Sequence, residues 1–300
     1  MIPRFNAASH IPLASDRMSL DWEKVAREVM WLEDAGADSI VISVPAGAPY
    51  LTNDTVVEYV EAVSEARRSL AIICDVGARR TEDAMALSSA AEDAGADYIM
   101  ICAPYMFPLK EPSLFNYYVS IAGSMTLEVV VYNLPRYTNN PLSVKFIATL
   151  IENIPNIGAV KETITDLDEF KRMYEIIQES GRDISLVIGD DQMVWDAFCV
   201  ANDIGTISTV CSMFPTWVRR MRKLADKHDA SGRQIQDTLT AYKQEVIRVH
   251  DYLVGQQATA QVLRATGGYN PLPMSSPTDK DIAHARDVLV KLGLLESAPL

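Results

Sequence analysis

The chain has 300 residues, of which 48% are hydrophobic and 22% charged, and its formal net charge is −13 at pH 7. This composition is typical of a globular protein with a large core, and the acidic balance argues against nucleic-acid binding, which requires a basic surface. No uninterrupted apolar run approaches the ~20 residues of a membrane span, so the sequence predicts neither a nucleic-acid nor a membrane partner.

Strand-like runs alternate with helix-like stretches along most of the chain. The predicted strands are residues 4–12, 39–44, 70–75, 98–102, 128–132, 157–161, 185–188 and 205–210. Amphipathic helices are predicted between them, for example over residues 21–34, 81–93 and 167–179. A six-residue segment occurs twice, at residues 33–38 and 92–97, and in each copy it ends a helix and leads into a strand. The alternation predicts an α/β fold, a (β/α)8 TIM barrel.

The remainder of the chain reads as helices, with a loop at residues 267–273 that is rich in glycine and proline. No linker rich in glycine, serine or charge separates this part from the strands. We therefore interpret residues 1–215 as the barrel core. Residues 216–300 are interpreted as the last barrel helix and a C-terminal helical extension.

Two of the predicted strands end in side chains that suit catalysis. Tyr132 closes the fifth run and Lys161 closes the sixth, about one βαβ repeat later, so both should lie at the same end of the barrel. A desolvated lysine has a lowered pKa and can form a Schiff base with a carbonyl substrate, while a nearby phenol can carry protons. At this level of evidence Lys161 can equally be a strand-end lysine whose amine reaches solvent.

The sequence carries no signature of a metal or nucleotide site. The four cysteines include no CxxC pair, and the four histidines are scattered, without a His-Glu-x-x-His segment. Neither a GxGxxG after a strand nor a P-loop is present. We therefore predict no metal and no cofactor. Unpaired cysteines and an N-terminus unlike a signal peptide indicate a cytoplasmic location.

The segments around these two residues resemble one enzyme superfamily. Tyr132-Asn133-Leu134-Pro135, followed by Thr138, resembles the Tyr-Asn-x-Pro-x-x-Thr segment of the dihydrodipicolinate synthase and N-acetylneuraminate lyase superfamily. Residues 158–163 resemble its Schiff-base lysine segment. Further similar segments are residues 104–105, 189–191, 205–208 and 268–273. Because their order and spacing agree from about residue 10 to residue 215, the chain is identified as a member of this superfamily.

The resemblance implies a class I lyase that needs no cofactor. Lys161 would attack the ketone of a 2-oxo acid such as pyruvate to give an imine, and Tyr132 would move a proton to or from the second substrate. The implied partner is a small-molecule 2-oxo acid, and the implied assembly is a homo-oligomer, usually a tetramer in this superfamily. We assign contacts with the substrate to Ala46, Gly47, Tyr105, Tyr137, Thr163, Gly189, Asp190 and Ile207.

The chain departs from the superfamily pattern where the substrate is held. The Gly-Thr-Thr-Gly-Glu segment after strand two reads Pro-Ala-Gly-Ala-Pro here, so backbone N–H groups of Ala46 and Gly47 would have to accept the carboxylate. Met106 replaces a second tyrosine of the superfamily. The arginine that binds the second substrate's carboxylate aligns with Tyr137, and Arg136, one place earlier, should point differently. These departures argue against dihydrodipicolinate synthesis.

Thr163 points to a sugar-acid substrate instead. It lies two residues after Lys161, so in an extended strand both side chains face the same way. Sugar-acid aldolases of the superfamily have a similar Lys-x-Thr pattern, and Tyr137 is similar to some 2-keto-3-deoxygluconate aldolases. Our leading interpretation is an aldolase for a hydroxylated 2-oxo acid, reversibly giving pyruvate and an aldehyde. A dehydratase or hydrolase with the same imine chemistry, and a silent member that only binds a 2-oxo acid, stay open.

Some of the assigned residues also have simpler roles available. Thr163 is a good N-cap for the helix after strand six. Asp190 and Asp191 can cap a helix that begins at Gln192. Tyr105 can be an ordinary aromatic residue at the barrel end. Each of these alternatives makes a specific structural prediction.

Overall fold

The computed structural model of the protein describes residues 2–42, 47–77, 80–249 and 251–295. Within these ranges eight parallel strands close into a barrel, in which each strand pairs with the next and the last pairs with the first. The strands are β1 (Phe5–Ala8), β2 (Ser39–Ile42), β3 (Ala71–Asp75), β4 (Tyr98–Cys102), β5 (Glu128–Asn133), β6 (Ile157–Glu162), β7 (Ser185–Ile188) and β8 (Gly205–Ser208). The predicted (β/α)8 barrel is confirmed.

Helices follow the strands and cover the outside of the barrel. They are α1 (Trp22–Asp34), α2 (Asn53–Ala66), α3 (Thr81–Asp93), α4 (Glu111–Ala122), α5 (Pro135–Thr138), α6 (Val144–Asn153), α7 (Leu167–Glu179), α8 (Val194–Phe198), α9 (Thr209–Met213), α10 (Pro215–Asp226), α11 (Gly232–Tyr242), α12 (Tyr252–Arg264) and α13 (Asp279–Leu292). A π-helical segment, Lys243–Ile247, continues α11. The division of the chain at residue 215 stays an interpretation.

Local sequence explains where the predicted helices begin. The Asp21 side chain accepts a hydrogen bond from the Lys24 N–H at the start of α1. The Asp166 side chain accepts from the N–H groups of Asp168 and Glu169 at the start of α7. These carboxylates satisfy backbone donors that have no partner inside the helix. With these caps α1 and α7 begin within one residue of their predicted limits, and α3, which has no side-chain cap, begins at the predicted residue.

The repeated six-residue segment makes the same turn twice. Its glycine has a φ of +86° in the first copy and +102° in the second, the left-handed conformation that favours glycine after a helix. Its final aspartate then accepts a hydrogen bond from a neighbouring strand: Asp38 from the Phe5 N–H at 3.0 Å and Asp97 from the Ile72 N–H at 2.8 Å. The repeat is therefore a device that ends a helix and fixes the entry of two adjacent strands.

The core has two parts, one between the strands and the helices and a smaller one inside the barrel. The inner part consists of side chains that alternate along the strands and point toward the barrel axis, among them Ile73, Met100, Cys102, Val130, Tyr132, Ala159, Val187 and Ile207. In the described part of the chain, no helix is long and apolar enough to cross a membrane. The same residues contain no group of three or more His, Cys, Asp or Glu side chains that could hold a metal ion.

A buried ion pair attaches α12 to α1. The Arg264 guanidinium donates to the Glu28 carboxylate at 2.5 and 2.7 Å, and the two side chains are at most 1% exposed. The hydroxyls of Ser9 and Thr266 donate to the same carboxylate at 2.6 Å. Burial alone raises the pKa of Glu28, but the charge of Arg264 and these hydrogen bonds bring it down to about 2. The network keeps α12 against the barrel.

We expect Glu28→Gln to lower the free energy of unfolding by about 3 kcal/mol, because it leaves the Arg264 charge buried without a counter-charge. Urea unfolding followed by circular dichroism measures the difference. The wild-type advantage is present above the ordinary carboxyl pKa of 4.5 and is lost as the pH falls toward the folded value of about 2. Glu23→Gln, on the exposed first turn of α1, is the matched control and should change stability by less than about 1 kcal/mol. Equal effects of the two substitutions would contradict the prediction.

Candidate active site

Tyr132 and Lys161 lie side by side at the carboxyl ends of β5 and β6. The two residues are direct partners in the strand register, and Lys161 Nζ lies 3.8 Å from the centre of the Tyr132 ring. Their side chains are 1% and 2% exposed. The amine therefore packs against the face of the ring, where the π electrons attract a cation. The structure brings together the two residues that the sequence predicted as the catalytic pair.

The surroundings adjust the protonation of both groups. Burial lowers the pKa of Lys161 to about 8, although the charges of Asp75 and Asp191 act in the opposite direction. At neutral pH the fraction of Lys161 present as free amine is thus more than about 100 times that of a lysine with the ordinary pKa of 10.5. Burial also raises the pKa of Tyr132 well above its usual value, so the phenol keeps its proton. A free amine beside a protonated phenol suits nucleophilic attack followed by proton transfer.

The outward-facing neighbours of this pair fix the two strand ends. Asn133 Nδ2 donates to Glu162 Oε2 at 2.9 Å, and the N–H groups of Thr163 and Ile164 donate to Glu162 Oε1 at 2.7 and 3.0 Å. Burial raises the pKa of Glu162 to about 7 in spite of these donors. Since Asn133 and Glu162 directly follow Tyr132 and Lys161, this cluster ties together the two strand ends that carry them.

A cavity of about 510 Å³ opens next to the pair. Tyr132, Tyr137, Thr163, Gly189 and Asp190 line it, so five of the predicted site residues share one cavity. The part of the chain after the barrel contributes Lys243, Ile247, Arg248 and Tyr252 to the wall. Leu134, Arg136 and Asp191 line it as well. Lys161 lies behind Tyr132 and Gly189 and not on the wall.

Gly189 leaves the space that the lysine side chain occupies. A Cβ at this position would come within 2.4 Å of Thr163 Cγ2 and 2.9 Å of Lys161 Cε. Real Cβ atoms do not approach other atoms this closely, so any other residue would displace one of the two side chains. The glycine is therefore required for the position of Lys161 and does not merely form a turn.

Two of the simpler roles considered for these residues are wrong. Thr163 does not cap the following helix, because α7 has Asp166 as its N-cap; the Thr163 hydroxyl donates to the Asn133 carbonyl at 2.6 Å. Asp190 accepts from the Gln192 N–H at 2.8 Å, but α8 begins later, after Met193.

Asp191 serves a different purpose from Asp190. It pairs with Lys243 at 2.9 Å and accepts a hydrogen bond from the Val210 N–H at 3.1 Å. Its side chain is 5% exposed. Asp191 therefore joins the end of β7 to α9 and to the helices after the barrel, which closes one side of the cavity.

The remaining predicted contacts lie elsewhere. Tyr105 lines a separate cavity of about 250 Å³, together with Asp75. Ile207 is fully buried in the inner core of the barrel. Gly47 has a φ of +89° and precedes a short 3-10 turn. Ala46 lies outside the described residues, so the predicted carboxylate contact of Ala46 and Gly47 stays a prediction.

Sequence reasoning missed several residues around the pair. Asp75 ends an otherwise apolar predicted strand, which is a local signal that was available. Lys243 and Arg248 gave no such signal, because only the folded C-terminal helices bring them to the cavity. Arg136 lines the same cavity as Tyr137. That it points differently from the superfamily's arginine stays a prediction.

The chain is similar to known proteins in sequence and in fold. Residues 8–272 match the Dihydrodipicolinate synthetase family. The 4-hydroxy-tetrahydrodipicolinate synthase of Haloarcula marismortui is 27% identical over 281 residues, covering 91% of this chain and 89% of that protein. The crystal structure of dihydrodipicolinate synthase from Thermotoga maritima superposes with a TM-score of 0.89 at 21% identity, over 98% of this chain and 100% of the other. KD(P)GA from T. tenax superposes with a TM-score of 0.85 at 20% identity, over 97% and 99%. At these identities the structural similarity shows a shared fold.

Proposed function

The chain belongs to the dihydrodipicolinate synthetase family of lyases, and we propose that it cleaves a hydroxylated 2-oxo acid through a Schiff base on Lys161. The observation that carries this proposal is the buried Lys161 amine, 3.8 Å from the Tyr132 ring centre, next to an open cavity. A lysine with a pKa of about 8 is a nucleophile near neutral pH. The proposed products are pyruvate and an aldehyde, and the reaction is reversible.

The chemistry follows from the two side chains. The Lys161 amine attacks the C2 carbonyl carbon, and loss of water gives a protonated imine. This imine withdraws electrons, so the C3–C4 bond breaks and releases the aldehyde. In this step the C4 hydroxyl gives its proton to the Tyr132 oxygen, while the phenol's own proton passes to water in the open cavity that Tyr132 lines. The remaining enamine takes up a proton at C3, and water then releases pyruvate and restores the amine. The protonated imine itself is the electron sink.

The cavity wall supports a polar substrate. The oxygen of Thr163 still has acceptor capacity after donating to the Asn133 carbonyl, and Tyr137 offers a phenol that is 56% exposed. Either group can meet a substrate hydroxyl. Arg136 and Arg248 add positive charge to the same wall. A hydroxylated acid therefore fits this wall better than an apolar substrate.

The test is release of pyruvate from a panel of 2-keto-3-deoxy sugar acids, followed by coupling to lactate dehydrogenase and NADH. Steady pyruvate release from one of these acids is expected. A second arm of the experiment supplies pyruvate and aspartate semialdehyde. It is included because Arg136 lines the cavity, where its guanidinium can bind a substrate carboxylate. Activity confined to that second arm would overturn the sugar-acid proposal in favour of dihydrodipicolinate synthesis.

A dehydratase with the same imine chemistry is the second candidate. It is favoured by the protonated Tyr132 phenol, which can equally deliver a proton to a departing hydroxyl. The two reactions differ in product: cleavage gives pyruvate and an aldehyde, whereas dehydration keeps all carbon atoms in one molecule. Mass spectrometry of the products separates them directly.

We also propose that the protein is a homo-oligomer, as the family resemblance implies. The loop after β4 exposes Met106 and Phe107 by 71% and 73%, and exposed apolar side chains in one loop are typical of an interface. We expect size-exclusion chromatography with light scattering to give a multiple of 33.2 kDa, and Phe107→Glu to shift the protein toward smaller species. A wild-type protein that is monomeric at micromolar concentration would contradict this.

A further inference from the structure

A buried carboxylate, Asp75, stands at the inner face of the barrel and has no part in the chemistry described so far. Ile73 belongs to the inner core, so Asp75, two residues further along β3, faces the same way. Its side chain accepts a hydrogen bond from the Gly77 N–H at 2.9 Å, and the residue is 5% exposed. Carboxylates are seldom buried this far without a structural or chemical reason.

Neighbouring strands connect Asp75 to the catalytic pair. Cys102 is the register partner of Tyr132, which is in turn the register partner of Lys161. A Cβ at Gly77 would come within 2.2 Å of Cys102 Sγ and 3.0 Å of Asp75 Oδ1, so the thiol and the carboxylate lie on the same side of this glycine. Cys102, Tyr132 and Lys161 thus form one row of inward-facing residues. The register partner of Asp75 is Met100, one inward-facing position before Cys102, so Asp75 lies one layer below this row and its carboxylate lies near the Cys102 thiol.

The charged and titratable groups around Lys161 differ in whether they are protonated and in whether they are paired. Cys102 on β4 and Tyr132 on β5 keep their protons, because burial raises the pKa of each well above its usual value. Tyr252 on α12 also keeps its proton, because burial raises its pKa well above the usual value. Asp191, after β7, is paired with Lys243 at 2.9 Å. Burial lowers the pKa of Lys161, and the charge of the Asp75 carboxylate is the largest influence that raises it.

We propose that Asp75 is a positioning residue that supplies the counter-charge for Lys161, first for its ammonium and then for the protonated imine. The inference rests on the proposed function, since it concerns the same lysine. The imine carries its positive charge from the loss of water until hydrolysis, and a fixed carboxylate inside the barrel stabilises that charge more than bulk water does. Asp75 forms no bond to the substrate in this role.

The test measures how fast pyruvate and sodium cyanoborohydride label the protein as a function of pH. Asp75→Asn keeps the shape of the side chain and removes its charge. We expect the acid limb of the labelling profile to move to lower pH by about one unit, because the lysine loses a proton more easily without the carboxylate. We also expect turnover to fall about tenfold, because the protonated imine is less stable. Asp75→Glu keeps the charge and should retain the wild-type limb.

Asp83→Asn is the matched control, since it removes one exposed carboxylate from α3, the helix that follows β3. Its profile should coincide with that of the wild type. If Asp75→Asn does not fold, Asp75→Ser retains an oxygen for the Gly77 N–H, and the same shift is expected. A wild type that is not labelled at all would overturn the proposed function. A labelled wild type whose acid limb is unchanged in the uncharged Asp75 variants would overturn only the role of Asp75.

Discussion

Lys161→Ala is expected to abolish turnover, with a loss of more than about 10⁴-fold, and to prevent reductive labelling by pyruvate. Lys161 Nζ is the atom that forms the proposed covalent bond. Among the described residues, no other lysine lies in the row that Lys161 forms with Cys102 and Tyr132 at this end of the barrel. The cavity should survive, because alanine leaves Tyr132 and the Glu162 cluster in place. Pyruvate release in the coupled assay and intact mass after borohydride treatment measure the two effects.

Lys171→Ala is the matched control for this substitution. Lys171 lies on α7, the helix that follows β6, and its side chain is 48% exposed. It should keep wild-type turnover and labelling. If Lys161→Ala retains turnover, the Schiff-base mechanism is wrong. If neither the wild type nor the variant turns over any acid, yet both bind one equally, the protein is the silent binding member that the sequence left open.

Tyr132→Phe should lower turnover by about 10² to 10⁴-fold while leaving the lysine able to form an imine. The substitution removes the phenolic oxygen and keeps the ring that packs 3.8 Å from Lys161 Nζ. Without the phenol, no side chain carries the proton to and from the C4 hydroxyl. Attack of the lysine on the carbonyl does not require the phenol. Turnover of the cleaved acid and the yield of pyruvate trapped by borohydride are to be measured on the same preparation.

Tyr174→Phe serves as the control, because Tyr174 lies on α7 and its hydroxyl contacts Asp203 at 3.1 Å, outside the cavity. It should match the wild type in both measurements. Equal turnover in Tyr132→Phe and the wild type would show that another group moves the proton. Loss of labelling together with turnover would show that the phenol is needed for imine formation itself.

The fold followed from the sequence because its determinants are local. Apolar runs, amphipathic helices and a repeated turn each act over a few residues, and together they predict a barrel. The predicted first strand, residues 4–12, was too long, since β1 ends at Ala8. After that point the chain leaves the sheet: the Ser9 hydroxyl donates to Glu28 on α1 at 2.6 Å, an interaction that no local pattern reveals.

The predicted residues that line the cavity lie at strand ends or in the segments that directly follow them, such as Tyr137 in α5, after β5. Tyr132 and Lys161 were found because adjacent parallel strands end at the same side of a barrel. Lys243 and Arg248 come from helices far along the chain, and their position depends on how those helices pack. Tyr105 was assigned to the substrate, but it lines the other cavity. Long-range packing, which carries no short sequence pattern, decides these cases.

Reductive trapping tests the proposed mechanism most directly. The wild-type protein is incubated with pyruvate and sodium borohydride, and the modified peptide is identified by mass spectrometry, with a known class I aldolase treated in parallel. We predict one reduced pyruvate per chain, on Lys161. An unmodified chain beside a labelled control aldolase, or an adduct on a different lysine, would contradict the Schiff-base mechanism at this site.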